Sequence, residues 1–208
     1  MRKSLVVLAL FSASVFAAQS AKADDACSSV AGNLLAPAAS NCGFETGDFT
    51  GWSGTVKSDI FSGVDNLDPF SGTYEAYLGP ESGDATLFQT LNTVAGTTYT
   101  IQFYLDNTSN ADAGNPNDFS ATFGSTIGFT ETNAPASSYA VETFTALATG
   151  PTTTLTFTFE NVLGDFDLDS VSVVAVPTTS AVPEPGSLML LGTGVVGFLG
   201  VARRRLKR

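Results

Sequence analysis

The sequence predicts an all-β antiparallel sandwich, set between two terminal segments that take no part in the fold. Three observations carry this. Apolar residues recur with a period of two rather than 3.6, turn formers punctuate the chain at short intervals, and nowhere in the body do ten residues carry a helical stripe. Strand after short strand separated by turns gives a sandwich or jelly roll.

The elements follow in order. Arg2 and Lys3, an apolar run at 5–18 and Ala21-Lys22-Ala23 form a signal peptide, 1–23, cut after Ala23 or alternatively after Ala17 or Ala18. The body, 24–176, is the size of one domain. Leu155-Thr156-Phe157-Thr158-Phe159 alternates strictly, and Tyr99-Thr100-Ile101-Gln102-Phe103-Tyr104-Leu105 does so apart from Tyr104, so each is a strand with one face on a core. Shorter strands are expected at 72–78, 86–91, 119–123, 126–130, 141–148 and 170–176. Asp68-Pro69, Gly79-Pro80, Ala95-Gly96, Asn115-Pro116 and Gly150-Pro151 turn the chain between runs. Phe44, Phe88, Phe103, Phe157 and Phe159 are expected to fill the space between the sheets.

A Pro/Thr/Ser-rich stalk, 177–186, leads to 187–208, where an uncharged apolar segment is followed by Arg203-Arg204-Arg205-Leu206-Lys207-Arg208. As a helix, 187–202 would reach roughly 24 Å, a little short of the ~30 Å hydrocarbon core. Basic residues after an apolar segment mark its cytoplasmic end, so this reads as a single transmembrane helix with the body on the far side. The order of Pro183-Glu184-Pro185, apolar helix and Arg203, Arg204 and Arg205 resembles the PEP-CTERM sorting signal. That resemblance implies processing by the membrane peptidase exosortase near Pro-Glu-Pro. It also implies an exported protein, first anchored in the inner membrane and then carried on the cell surface or in the matrix of an exopolysaccharide producer.

Charge narrows the function. Nineteen of the 20 Asp and Glu precede residue 180 and face Lys57 alone, a net charge near −18 on the body. Such a surface repels nucleic acid and attracts divalent cations, which excludes nucleic-acid binding. The chain has no histidine, hence no Ser–His–Asp or Cys–His system, and a lone lysine makes a Ser–Lys dyad improbable. The expectation is therefore a non-enzymatic protein. Cys27 and Cys42 are expected to form a disulfide outside the cytoplasm, closing a loop of about 15 residues worth roughly 3 kcal/mol; the alternative is two free thiols.

The run Asn41-Cys42-Gly43-Phe44-Glu45-Thr46-Gly47-Asp48-Phe49-Thr50-Gly51-Trp52 resembles the opening of galactose-binding-like jelly-roll domains, the fold of many carbohydrate-binding modules. The stretches 71–79, 87–91 and 168–173 fit the same pattern, so the resemblance covers about 41–176. It implies a structural Ca²⁺ between first and last strands, held by Glu45 and Asp169 with a carbonyl from Ser71 or Gly72. Ser170 stands where a second Asp is common in that family. Asp165-Phe166-Asp167-Leu168-Asp169 and Asp65-Asn66-Leu67-Asp68 also look like oxygen-ligand clusters, but neither fits a full calcium-loop pattern.

Sugar binding needs exposed aromatic faces beside hydrogen-bonding side chains. Trp52, Phe61, Tyr74, Tyr77 and Tyr139 are the available platforms, with Trp52 and Tyr77 the leading candidates, although Trp52 is commonly core in the family that its motif resembles. A surface or matrix protein associated with exopolysaccharide is the first reading, and a lectin-like carbohydrate-binding module the alternative. A pocket lined by Trp52 or Tyr77 beside Asn or Asp would favour the second; a smooth Thr-covered surface would favour the first. An enzyme would need a buried carboxylate of raised pKa facing a second one across a cleft.

Overall fold

The computed structural model describes residues 25–112 and 114–177. The signal peptide, the stalk beyond Pro177 and the apolar tail lie outside the described residues. Among those described, no helix is long and apolar enough to cross a membrane.

Among the described residues, nine strands form two sheets, and every pairing is antiparallel. They are β1 (Ser62–Asp65), β2 (Glu75–Leu78), β3 (Ala85–Asn92), β4 (Thr98–Asn107), β5 (Asn117–Phe123), β6 (Thr126–Thr132), β7 (Ser137–Leu147), β8 (Thr152–Asn161) and β9 (Phe166–Ala175). The five-stranded sheet runs β1-β2-β9-β4-β7 and the four-stranded sheet β3-β8-β5-β6. Burial along β4 and β8 alternates residue by residue, as the period-two pattern requires.

The inner faces meet in an aromatic core. Phe157 packs edge-on to Phe103 at 5.2 Å between ring centroids and lies 5.8 Å from Phe119, which meets Phe166 of β9 at 5.2 Å. Trp52 closes one end, stacked on Phe44 at 5.6 Å and facing Phe157 at 6.0 Å. Phe88 does not join this core. Leu87 and Leu91 supply the inward face of β3, and the Phe88 backbone pairs with Ser53 on the other side.

Three expected elements are redrawn. The segment around Glu45 is a chain of turns rather than a first strand. The strand expected from residue 72 starts at Glu75, because Gly72 has φ +72° and the amides of Thr73 and Tyr74 are taken by Glu45. The last strand starts four residues earlier than expected, at Phe166, and carries a bulge at Ser170, φ +52°. Strand β1 was invisible to periodicity, since Ser-Gly-Val-Asp has no apolar alternation.

Beyond the bulge, β9 leaves β2 and takes the N-terminal segment as its neighbour. Val171 N–H donates to the Cys42 carbonyl, Leu34 N–H to the Val173 carbonyl, and Val173 N–H to Asn33 Oδ1. The Cys27–Cys42 disulfide, Cα atoms 6.1 Å apart and both residues buried, fastens this segment. At the opposite end, buried asparagines close three strand termini. Asn107 and Asn117 donate to the Ala134 carbonyl, and Asn161 donates to Asn107 Oδ1.

Candidate functional site

Strand β9 organises the chemistry because it is buried on both faces. Phe166 and Leu168 point into the core, so Asp167 and Asp169 fall on the outer face of the five-stranded sheet, under covering loops. Two carboxylate groupings result.

The first gathers the residues implied by the jelly-roll resemblance. Asp169 is fully buried, its Oδ2 accepting Ser71 N–H at 2.9 Å and its Oδ1 the amide of Ser170. Glu45, 124 residues earlier in sequence, reaches the same turn and accepts Thr73 N–H at 2.7 Å and Tyr74 N–H at 3.2 Å. A side chain on Gly72 would collide with the Glu45 carboxylate, so glycine here is a space requirement as well as a positive-φ one. Ser71 meets this corner through its amide and its hydroxyl, the latter bonded to Ser170 at 2.7 Å. Burial pushes Asp169 up to about 8, against the pull of the Ser71 and Ser170 amides and with the push of Asp25 and Glu45. Burial likewise raises Asp25, opposed by the Cys27 amide and helped by Glu45. A cavity of about 320 Å³ opens beside Asp25 and Glu45. Asp25, Cys27 and Cys42 present atoms within 4.8 Å of one another, but sulfurs joined in a disulfide offer no thiolate.

The second grouping lines a cleft of about 660 Å³. Its floor is Glu75, Tyr77 and Asp167, neighbours across the β2–β9 pairing, where Tyr77 lies opposite Asp167. The half-buried Tyr77 ring lies across Gly63, where any side chain would strike its hydroxyl. Asp65, Asp165 and Asn161 stand on the walls. Thr108 fixes one wall by donating its N–H and its hydroxyl to the Asp165 carbonyl and accepting Asp165 N–H at 2.8 Å.

The two floor carboxylates differ. Glu75 is satisfied, accepting Asp68 N–H at 2.8 Å on one oxygen and the Tyr139 hydroxyl at 2.6 Å on the other. Burial raises its pKa, opposed by those two bonds. Tyr139 is driven well above the usual phenol range by burial, then by its bond to Glu75 and by that group's charge. Asp167, 8% exposed, has no hydrogen-bond donor among the described residues; burial, then the charges of Glu75, Asp165, Asp106 and Asp65, push it up to about 8. Beside this floor Phe70 stacks on Tyr104 at 3.6 Å and 15°.

Of the leading ligand candidates, Tyr77 lines the cleft and Trp52 does not. Trp52 is 1% exposed, with its indole N–H donated to the Asn41 carbonyl at 3.0 Å, which withdraws it as a platform. Phe61 joins Tyr77 in the cleft, whereas the Tyr139 hydroxyl is committed to Glu75. Glu75 was not singled out from sequence, and Asp167 appeared only inside an acidic run. The available signal was the alternation of Asp167 and Asp169 with Phe166 and Leu168, which puts two acids on one strand face.

Comparison with known proteins bears on both ends of the argument. Residues 181–205 match the PEP-CTERM protein-sorting motif, which indicates an exported, exosortase-sorted protein. No curated protein sequence matches the chain. Among solved structures, it is similar to the enzymatically active domain of bacteriophage CBA120 tailspike protein 4, with a TM-score of 0.50, 13% identity, and 69% of this chain but 21% of that one covered. It is also similar to TmCBM61 in complex with β-1,4-galactotriose, with a TM-score of 0.47, 20% identity and coverage of 69% and 99%. A third similar structure is the CBM22-1 xylan-binding domain of Paenibacillus barcinonensis Xyn10C, with 0.48, 13%, and 66% and 93%. At these identities the likeness concerns the fold, and the chain spans about a fifth of the tailspike chain.

Proposed function

We propose that this is a surface protein, inserted through its signal peptide and apolar tail and trimmed by exosortase near Pro183-Glu184-Pro185, whose jelly roll binds carbohydrate of the exopolysaccharide layer. The observation that carries the binding role is the cleft in which Tyr77 stands beside Asp65, Asp165 and Asp167. An aromatic ring next to carboxylate oxygens is a combination that sugar rings and hydroxyls use. Titration of neutral oligosaccharides against the full-length chain in a non-glycosidic detergent tests it. Saturable binding that Tyr77→Ala weakens at least tenfold is expected; no binding across a broad glycan panel would overturn it. Processing is tested by mass spectrometry of surface protein, whose C-terminus should fall at 183–185; intact Arg208 in most molecules would refute trimming.

A second reading, glycoside hydrolysis, draws support from Asp167, a buried carboxylate of raised pKa with Glu75 and Asp165 near it. Binding without chemistry is favoured because both oxygens of Glu75 are engaged in holding the fold, leaving it poorly placed as nucleophile or base. Release of reducing ends from a bound oligosaccharide, lost in Asp167→Asn, would reverse that preference.

We also propose a structural Ca²⁺ at the corner of Glu45 and Asp169. The donor types fit: Glu45, Asp169, Asp25 and the Ser71 hydroxyl are hard oxygens, and among the described residues no cationic side chain meets the buried Asp169. The three carboxylates do not bring oxygens within 4.8 Å of one another, so a cation would have to draw them together. A cation there would tie the 41–52 turns to β9. If it binds the folded form alone, a hundredfold excess over Kd stabilises by about 2.7 kcal/mol. EDTA should lower the melting temperature by several degrees, and Glu45→Ala or Asp169→Ala should abolish that response. A melting curve indifferent to both EDTA and Ca²⁺ would remove the metal.

A further inference from the structure

We propose that the cleft selects glycans bearing free amino groups, seating an ammonium against the Asp167 carboxylate, and rejects uronate- or sulfate-bearing chains. The inference rests on the carbohydrate-binding reading above and deepens it to a substrate class.

The polar lining has one sign. Asp65, Asp68, Glu75, Glu81, Asp165 and Asp167 surround the cavity, and among the described residues no lysine or arginine lines it. An anionic polysaccharide would enter against this field without a counter-charge. Within the field, the carboxylates are not equivalent. Glu75 is fully used by the protein, whereas Asp167 is more than nine-tenths buried, opens on the cleft and is met by no donor among the described residues. Its acceptor oxygens are therefore left to whatever enters the cleft, and a ligand that brings a donor gains what the protein itself does not supply.

The rim adds an apolar collar. Ile60 is 83% exposed, Leu67 84%, Leu163 52% and Phe61 41%, and all four line the same opening. With the Tyr77 ring they offer surface to the C–H face of a pyranose.

A divalent metal suits this cleft less well than an ammonium. Ca²⁺ needs six to eight oxygens at 2.3–2.6 Å. Among the described residues, no three carboxylates of the cleft bring oxygens within 4.8 Å of one another. An ammonium with three donors needs only one unpaired carboxylate and a neighbour. A lysine side chain carries the same cation, but two aromatic faces and an aliphatic rim on a roughly 660 Å³ cavity favour a ring-shaped ligand over a single stem.

The experiment uses the full-length chain in a neutral, non-glycosidic detergent. β-1,4-Glucosamine oligomers, their N-acetylated counterparts, oligouronates and a lysine hexapeptide are each titrated calorimetrically. The glucosamine oligomer should bind at least tenfold tighter than the N-acetylated one, with no detectable oligouronate binding. Asp167→Asn should shrink the ratio to within about threefold, and Asp165→Asn should shrink it partway. Equal affinity for the amine and acetylated oligomers, both weakened by Tyr77→Ala, would overturn the inference and leave carbohydrate binding standing. Oligouronate binding as tight as the amine's would overturn it too, and so would a hexapeptide that binds tighter than the amino sugar. Failure of every glycan would remove the underlying reading as well.

Discussion

Gly72→Ala isolates the contact that brings Glu45 to the 71–73 turn, and Gly83→Ala is its control. The two glycines share a backbone conformation, φ +72° and +77°, so an alanine at either suffers the same left-handed penalty, about 1 kcal/mol. Their surroundings differ. A Cβ at Gly83 meets nothing within 4 Å, whereas one at Gly72 lands on the Glu45 carboxylate. Moving that carboxylate breaks two amide bonds to a charged acceptor. Each is worth roughly 1.5–3 kcal/mol when buried, and the partial exposure of Glu45 reduces the pair to about 2 kcal/mol. The totals are therefore about 3 kcal/mol for Gly72→Ala against about 1 for Gly83→Ala. For a domain of about 150 residues, 1 kcal/mol moves the melting temperature about 2–4 °C, so circular dichroism should show drops of about 6–12 °C and about 2–4 °C. In a Glu45→Gln background the excess at Gly72 should shrink, a coupling of about 1 kcal/mol or more. Equal drops for the two alanines, or strict additivity with Glu45→Gln, would refute the placement of Glu45.

Other outcomes follow from the same geometry. Phe157→Ala empties the centre of the aromatic core and should cost about 3–5 kcal/mol by urea unfolding; a loss below about 1 kcal/mol would mean that the core does not converge there. Reducing the Cys27–Cys42 bond should cost about 3 kcal/mol, and Cys27→Ser should lose any response to reductant. Asp167 and Asp169 hold protons in the fold up to about pH 8 that an unfolded chain, near 3.8, has already released. Stability in EDTA should then fall as pH rises from about 4 to about 8 and level off above, with a shallower slope in Asp167→Asn. A steady gain in stability from pH 5 to 8 would contradict the burial of these groups.

Strands β4 and β8 were legible because Thr and aromatic residues alternate on them without interruption, and the structure keeps that alternation to the residue. Phe88 lies off the core because Leu87-Phe88 offers two apolar residues of opposite facing, and only the register on β8, which sets Leu87 opposite Phe157, decides which one is covered. The burial of the acids of β9 is not legible in the sequence, because charge in a strand ordinarily marks the wet face. Here the loop carrying Phe70 and Ser71 lies over that face, a tertiary event with no local signature. Glu45 and Asp169, far apart in sequence, could be paired beforehand only through resemblance. Tyr77 could be placed from period two alone, as the residue facing away from the buried Ala76.

The charge balance and the architecture of β9 are connected. Nineteen acids and one lysine leave the body unable to neutralise its own carboxylates with side-chain cations. On an open surface this costs little, since water and salt screen each charge. On β9 two of those carboxylates are enclosed, so positive charge must come as protons or from outside the chain. The two positions differ in what they can accept. Asp169 already holds the amides of Ser71 and Ser170, on the turn that Glu45 also reaches. Asp167 holds no donor and opens on a wide cleft with an apolar rim, where a larger cation with a carbon skeleton has room. Replacing Lys57 would leave both corners untouched, because its electrostatic partner is the exposed Asp48. A new lysine at Glu81, on the cleft wall, would place a mobile ammonium within reach of the floor. Glu81→Lys should therefore weaken amino-sugar binding at least fivefold while relieving the exclusion of oligouronates, a reversal of preference that loss of shape alone would not produce.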